Sequence, residues 1–227
     1  MLLRLCILVF ATALWAGPEG GMKLAFEDQF NDATIDGTKW GFKKEIVKLA
    51  DGKASIEVIS GGKSTIWRSG ELTCKFKQAY GYFEASIQMV ETKGHGVYYD
   101  ISGSSVETKF PSASLGFECG GADNVGPYLN VGELLGTQKL RPKENPIKME
   151  NGRTYKKFNT YGLLVTPKTY LWYVNTRQVF RVERLTASGP LQMKFSHGTA
   201  EGGVLRGFPN PALGPEPLVI DWVKIWK

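Results

Sequence analysis

Apolar and polar residues alternate with a period of two along most of this chain, which is the signature of half-buried strands. In the run from Gly126 to Gly136, Tyr128, Asn130 and Gly132 fall on one face, and Leu129 and Val131 on the other. One extra residue, absorbed as a bulge, would bring Glu133 onto the face of Tyr128 and Asn130. Enrichment in β-branched and aromatic residues predicts strands over 55–59, 64–68, 71–77, 81–90, 128–135, 160–166, 170–175, 179–183, 192–195 and 218–226. The dipeptides Asp51-Gly52, Gly61-Gly62 and Asn151-Gly152 mark turns, and loops are expected over 103–111, 120–126 and 207–217. No long stretch carries a 3.6-residue apolar period. Many short antiparallel strands without helices predict an all-β, two-sheet antiparallel β-sandwich.

Composition narrows the setting. Arg4 followed by the apolar stretch 5–15 reads as a secretory signal, too short to span a bilayer, with cleavage after Ala13 or Ala16. The expectation is a signal peptide over 1–16 and one domain over 17–227: secreted, monomeric and free of the membrane after cleavage. Losing Arg4 lowers the formal charge from +6 to +5. The charges are scattered, with no dense Lys/Arg run, which argues against nucleic acid as a partner. Cys6 leaves with the signal. Cys74 and Cys119 remain, either as a disulfide in an oxidising compartment or as two buried thiols. His95 and His197, the only histidines, lack ligand spacing, so neither a Cys–His metal site nor an organic cofactor is expected.

Six motifs then occur in order. They are Leu24-Ala25-Phe26-Glu27-Asp28-Gln29-Phe30 with Trp40; Ser69-Gly70-Glu71-Leu72-Thr73-Cys74-Lys75 leading to Tyr80-Gly81-Tyr82-Phe83-Glu84-Ala85-Ser86; the 128–133 strand; Phe158-Asn159-Thr160-Tyr161-Gly162 with Thr166-Pro167; Trp172-Tyr173-Val174-Asn175; and the closing Val219-Ile220-Asp221-Trp222-Val223-Lys224-Ile225-Trp226. Together they resemble glycoside hydrolase family 16, the laminarinase, lichenase and agarase-like enzymes. The resemblance implies a concanavalin-like jelly roll with a cleft across its concave sheet, and a β-linked glucan or galactan as polysaccharide partner.

It also implies roles for residues. On the family's catalytic strand, Glu133 matches the acid/base glutamate, Tyr128 stands at the nucleophile and Asn130 at the central aspartate. Retaining hydrolysis needs two carboxylates roughly 5–5.5 Å apart, and a tyrosine with a pKa near 10 is a poor substitute for one. Glu118, on the strand before, is the other carboxylate within reach. Glu84 is expected to hydrogen-bond sugar hydroxyls, and Tyr82, Tyr98, Tyr99 and Trp67 are the aromatic candidates for stacking on pyranose faces. Asp221, Glu27 and Gly52 are the candidate ligands of a structural Ca²⁺. Scaffold motifs match better than cleft motifs. The leading expectation is therefore a secreted glycan-recognising protein impaired in ordinary retaining hydrolysis. An active endo-glycosidase, hydrolysing O-glycosyl bonds with a rearranged catalytic pair, is the first alternative. A lectin-like structural jelly roll is the second.

Overall fold

The computed structural model describes residues 20–60, 67–90, 95–103, 113–120, 125–133, 136–140, 157–183, 190–199 and 216–227. The expected signal peptide lies outside them, and among them no helix is long and apolar enough to cross a membrane. Every strand pairing is antiparallel, as the alternation predicts. The early strands are β1 (Leu24–Asp28), β2 (Trp40–Phe42), β3 (Val47–Ala50) and β4 (Lys53–Ile56), followed by a short ribbon of β5 (Ile59–Ser60) and β6 (Trp67–Arg68). The middle of the chain forms β7 (Gly70–Gln78), β8 (Gly81–Gln88), β9 (His95–Gly103), β10 (Ala113–Gly120), β11 (Val125–Glu133) and β12 (Gly136–Leu140). The last five are β13 (Asn159–Val165), β14 (Thr169–Val174), β15 (Arg177–Glu183), β16 (Leu191–Thr199) and β17 (Leu218–Trp226).

Two large sheets result. One runs β15-β14-β13-β8-β17-β4-β3, with β1 also on β17; the other runs β12-β11-β10-β9-β16-β7-β2. They are called here the eight-stranded and seven-stranded sheets. Period two sorts each central strand into a core side and an outer side. Phe83, Ala85 and Ile87 of β8, with Ile220, Val223 and Ile225 of β17, face Val97, Tyr99 and Ile101 of β9 and Leu115 and Phe117 of β10 in one buried cluster.

Polar bridges cross that core and fix how the sheets lie. Trp172 Nε1 on β14 donates to the Gly116 carbonyl on β10 at 2.9 Å, and the Tyr99 hydroxyl on β9 donates to the Phe83 carbonyl on β8 at 2.9 Å. Each satisfies a buried polar atom that would otherwise cost about 1–3 kcal/mol. The opening motif does similar work. Asp28 is buried and accepts from Trp40 Nε1 at 2.8 Å and from the Phe30 amide at 2.9 Å, with Phe30 in the left-handed region at φ 53°. The motifs around Asn159 and Asn175 also meet, with Asn175 Nδ2 donating to Asn159 Oδ1 at 2.8 Å. Cys74 and Cys119 are both buried thiols rather than a disulfide. Burial pushes the Cys74 thiol up to about 11, so it stays protonated and unreactive at neutral pH.

Candidate functional site

Candidate chemistry gathers on the side of the seven-stranded sheet turned away from the core. On β10, Leu115, Phe117 and Cys119 are buried with the core, so Ser114, Gly116 and Glu118 take the outer side. Register then sets their neighbours. Glu118 pairs with Tyr98 on β9, Tyr98 with Ser196 on β16, and Ser196 with Glu71 on β7. One step along, Gly116 pairs with Asp100, Asp100 with Lys194, and Lys194 with Thr73. Two polar rows thus cross four consecutive strands. They carry three carboxylates, one ammonium, hydroxyls and one half-buried aromatic ring, Tyr98.

Part of this surface is already organised. Thr73 Oγ1 donates to Glu71 Oε1 at 2.7 Å, while Lys194 Nζ stands 3.8 Å from Glu71 Oε2. Gln192 Nε2 donates to the Cys74 carbonyl at 2.6 Å, tying β16 to β7. Asp100 is buried to 5% exposure, and Glu118 is half-buried. A Cβ at position 116 would run into the backbone of Tyr99 and Asp100, so only glycine lets β9 and β10 approach this closely. On its other side Gly116 pairs with position 128.

Several expected site residues lie elsewhere. Adjacent residues on a strand point to opposite faces, so Tyr98 and Tyr99 cannot both line one surface. Tyr99 is fully buried in the inter-sheet core, ringed by Phe117 and Phe195, and is unavailable for stacking on a sugar. Tyr82 and Glu84 share the outer side of the other sheet, across the whole core from Glu118. There the Tyr82 hydroxyl donates to Glu84 Oε1 at 2.8 Å. Burial pushes the Glu84 carboxyl up to about 7 against the opposing pull of Tyr82 and Lys224, and Glu84 Oε2 is buried with no hydrogen-bond partner. At 1% and 2% exposure, Glu84 and Tyr82 do not present themselves to a polysaccharide. Position 67 pairs with Ser60 in the short ribbon, and the Trp67 side chain lies outside the described residues.

For 128, 130 and 133 the backbone register is described and the side chains are not. Tyr128 pairs with Gly116, which puts it at the end of the second row, and Asn130 pairs with Ser114, one step further along. The bulge expected before Glu133 is not formed. β11 and β12 pair without interruption from Leu129 opposite Leu140 to Glu133 opposite Gly136. The side chain of Glu133 lies outside the described residues; on β10, Glu118 lies two residues along from Gly116, the partner of position 128.

The Ca²⁺ expectation finds a cation already beside its main ligand. Asp221 sits at the register irregularity between Ile220 and Trp222, with Lys53 Nζ 3.8 Å from Oδ1. Glu27 pairs with Lys224, and Gly52 takes φ 67° in the turn before β4. Among the described residues no three His, Cys, Asp or Glu side chains form a metal-holding group.

Glu71, Asp100, Lys194 and Ser196 were absent from the expected site. Their signal was available in the parity they share with Tyr98 and Glu118, but which strands are neighbours is a non-local fact.

Comparison with known proteins agrees with the architecture. No family model matches the chain. Over 194 residues it is 25% identical to the β-glucanase of Fibrobacter succinogenes, across 82% of this chain and 54% of that protein. The chain thus spans about half the length of that curated relative. The solved structure of LamAcat from Zobellia galactanivorans superposes with a TM-score of 0.74 at 19% identity, covering 90% of this chain and 97% of the other. A non-specific endo-β-1,3(4)-glucanase from glycoside hydrolase family 16, crystallised with a glucan oligosaccharide at its active site, gives 0.75 at 17% identity, covering 92% and 96%. The chain has the jelly-roll fold of the family 16 glucanases.

Proposed function

We propose that this chain is an exported β-glucan-recognising protein that binds its glycan across the outer side of the seven-stranded sheet. The observation that carries this is the row Glu118–Tyr98–Ser196–Glu71, which combines a half-buried ring with carboxylate and hydroxyl groups. An aromatic face packs on a pyranose, and flanking acceptors and donors fix its hydroxyls. The glucan-bound relative supports the choice of ligand class.

Ordinary retaining hydrolysis is expected to be weak or absent. The outer side of β10 offers one carboxylate, Glu118, with Ser114 and Gly116 at the other two positions. Tyr128 and Asn130 stand where the resemblance places the nucleophile and the central aspartate. Binding needs no nucleophile, so it outlives catalysis.

Calorimetric titration with laminarin and mixed-linkage β-glucan tests the reading. Wild type is expected to bind at least one of them. Tyr98→Ala should weaken that affinity tenfold or more, about 1.4 kcal/mol, and Glu118→Gln should weaken it less. Absence of affinity for every β-glucan tried would remove the proposal. Reducing-sugar release at an ordinary enzymatic rate, roughly 1–1000 per second, would overturn the catalytic half. In that case Asp100→Asn and Glu118→Gln locate the active carboxylates.

A further inference from the structure

The outer side of the eight-stranded sheet sets a buried acid beside a cation that is turned to something else. On this side β8 holds Tyr82, Glu84 and Ser86. Register places Trp226, Lys224 and Trp222 of β17 against them on one flank, and Leu164, Gly162 and Thr160 of β13 on the other. Glu84 thus has Lys224 for one neighbour and a glycine for the other. The place a side chain would take at Gly162 is filled by the Tyr82 ring, whose hydroxyl donates to Glu84 Oε1 at 2.8 Å. Glu84 Oε2 is buried without a hydrogen-bond partner, and the Lys224 ammonium lies instead 5.2 Å from the centre of the Trp222 ring.

The chemistry of the carboxyl explains the arrangement. An ionised carboxylate at 1% exposure needs its charge met, and a single phenol hydroxyl does not meet it. As the neutral acid, Glu84 accepts from Tyr82 at Oε1 and carries its own proton on Oε2. The ammonium then has no charge to meet at Glu84 and rests on the indole face. Removing the proton reverses this balance. Side chains of directly paired strand residues start about 4.5–5.5 Å apart at Cβ, well within the reach of a lysine stem.

We propose that Glu84, Lys224 and Trp222 form a proton-operated switch on the outer side of this sheet: the ammonium lies over Trp222 while Glu84 is neutral and moves to Oε2 once Glu84 is ionised. One proton leaves Oε2 for solvent, Lys224 keeps its own, and the Tyr82 hydroxyl stays on Oε1. The contact given up is that of the ammonium with the indole. Burial is the main cause lifting the Glu84 carboxyl to about 7, against the Tyr82 bond and the Lys224 charge. The other charged and titratable groups on the adjoining strands are placed as follows. Glu27 of β1 pairs with Lys224 on its far side and is exposed. Asp221 of β17 has Lys53 Nζ at 3.8 Å. Tyr173 of β14 stands beyond Gly162, edge-on to the Tyr82 ring, and Arg181 of β15 is bonded to Glu183. From the core, the Tyr99 hydroxyl is spent on the Phe83 carbonyl.

NMR of the wild type, labelled with 5-fluorotryptophan and with ¹³C in its glutamates, tests the switch between about pH 4 and 9. The Glu84 carboxyl and the Trp222 fluorine are expected to move together, with one midpoint near 7. In Glu84→Gln the Trp222 signal should stay still through that range. In Lys224→Met the Trp222 response should be lost although Glu84 still titrates, now at higher pH because the cation that favoured its charge is gone. A Trp222 response that persists in either variant would overturn the switch. So would a Glu84 midpoint near its ordinary value of about 4.3 in the wild type, or one that Lys224→Met leaves unmoved. Wild type and Lys224→Met decide the matter if Glu84→Gln does not fold. The inference does not depend on the glycan reading.

Discussion

Glu84 shows what one misplaced carboxylate does. It sits at 1% exposure, with one oxygen bonded to Tyr82 and the other unpartnered, and burial lifts its pKa to about 7. A folded-state pKa above the unfolded value means the protonated form is favoured in the fold. Stability from this group is complete below about pH 4.3 and is lost as pH rises through about 7, by roughly 3–4 kcal/mol at the upper limit. Glu84→Gln keeps an acceptor for the Tyr82 hydroxyl and removes the titration. Its melting temperature is expected to exceed that of wild type at pH 8 and to approach it at pH 4. Parallel pH profiles for the two proteins would show that Glu84 does not titrate in this window.

At the scale of elements, β10 depends on Gly116. This residue leaves room for the backbone of β9 and offers its carbonyl to Trp172 across the core. Gly116→Val is expected to destabilise by more than 3 kcal/mol, because a branched side chain here displaces a central strand; urea unfolding measures it, and a loss below about 1 kcal/mol would contradict the packing described. The strands themselves were largely legible, because β7, β8, β13, β14 and β17 each carry a full alternation or a dense apolar and aromatic run. The short β1, β2 and β3 were not, having only 5, 3 and 4 residues. β9 was also missed, because its His-Gly-Val-Tyr-Tyr-Asp opening shows no clean alternation. Face assignment is hardest where one residue decides it: a bulge was expected before Glu133, and the β11–β12 register runs unbroken there. Glu84 looked like a cleft residue because its motif is local, whereas the sheet that β8 joins is set by β13 and β17, far along the chain.

For the whole molecule, two titrations oppose one another. Burial holds His197 down to about 4, so this group loses stability towards acid, while Glu84 loses it towards neutrality. Their windows overlap, so each is read as the difference between wild type and its own variant, and the summed profile is flatter than either alone. Function separates the same way, by sheet. The outer side of the seven-stranded sheet leaves Glu71 exposed and Glu118 and Tyr98 half-buried, with Asp100 buried among them, and the other sheet covers its carboxylate, Glu84. The most direct test of this division is an NMR titration of the wild type with a laminari-oligosaccharide, following backbone amides on both sheets. The largest shifts are predicted at Tyr98, Asp100, Glu118 and Ser196, with those at Tyr82, Glu84 and Trp226 unmoved. Shifts confined to Tyr82, Glu84 and Trp226, or no shift at any residue, would contradict the account.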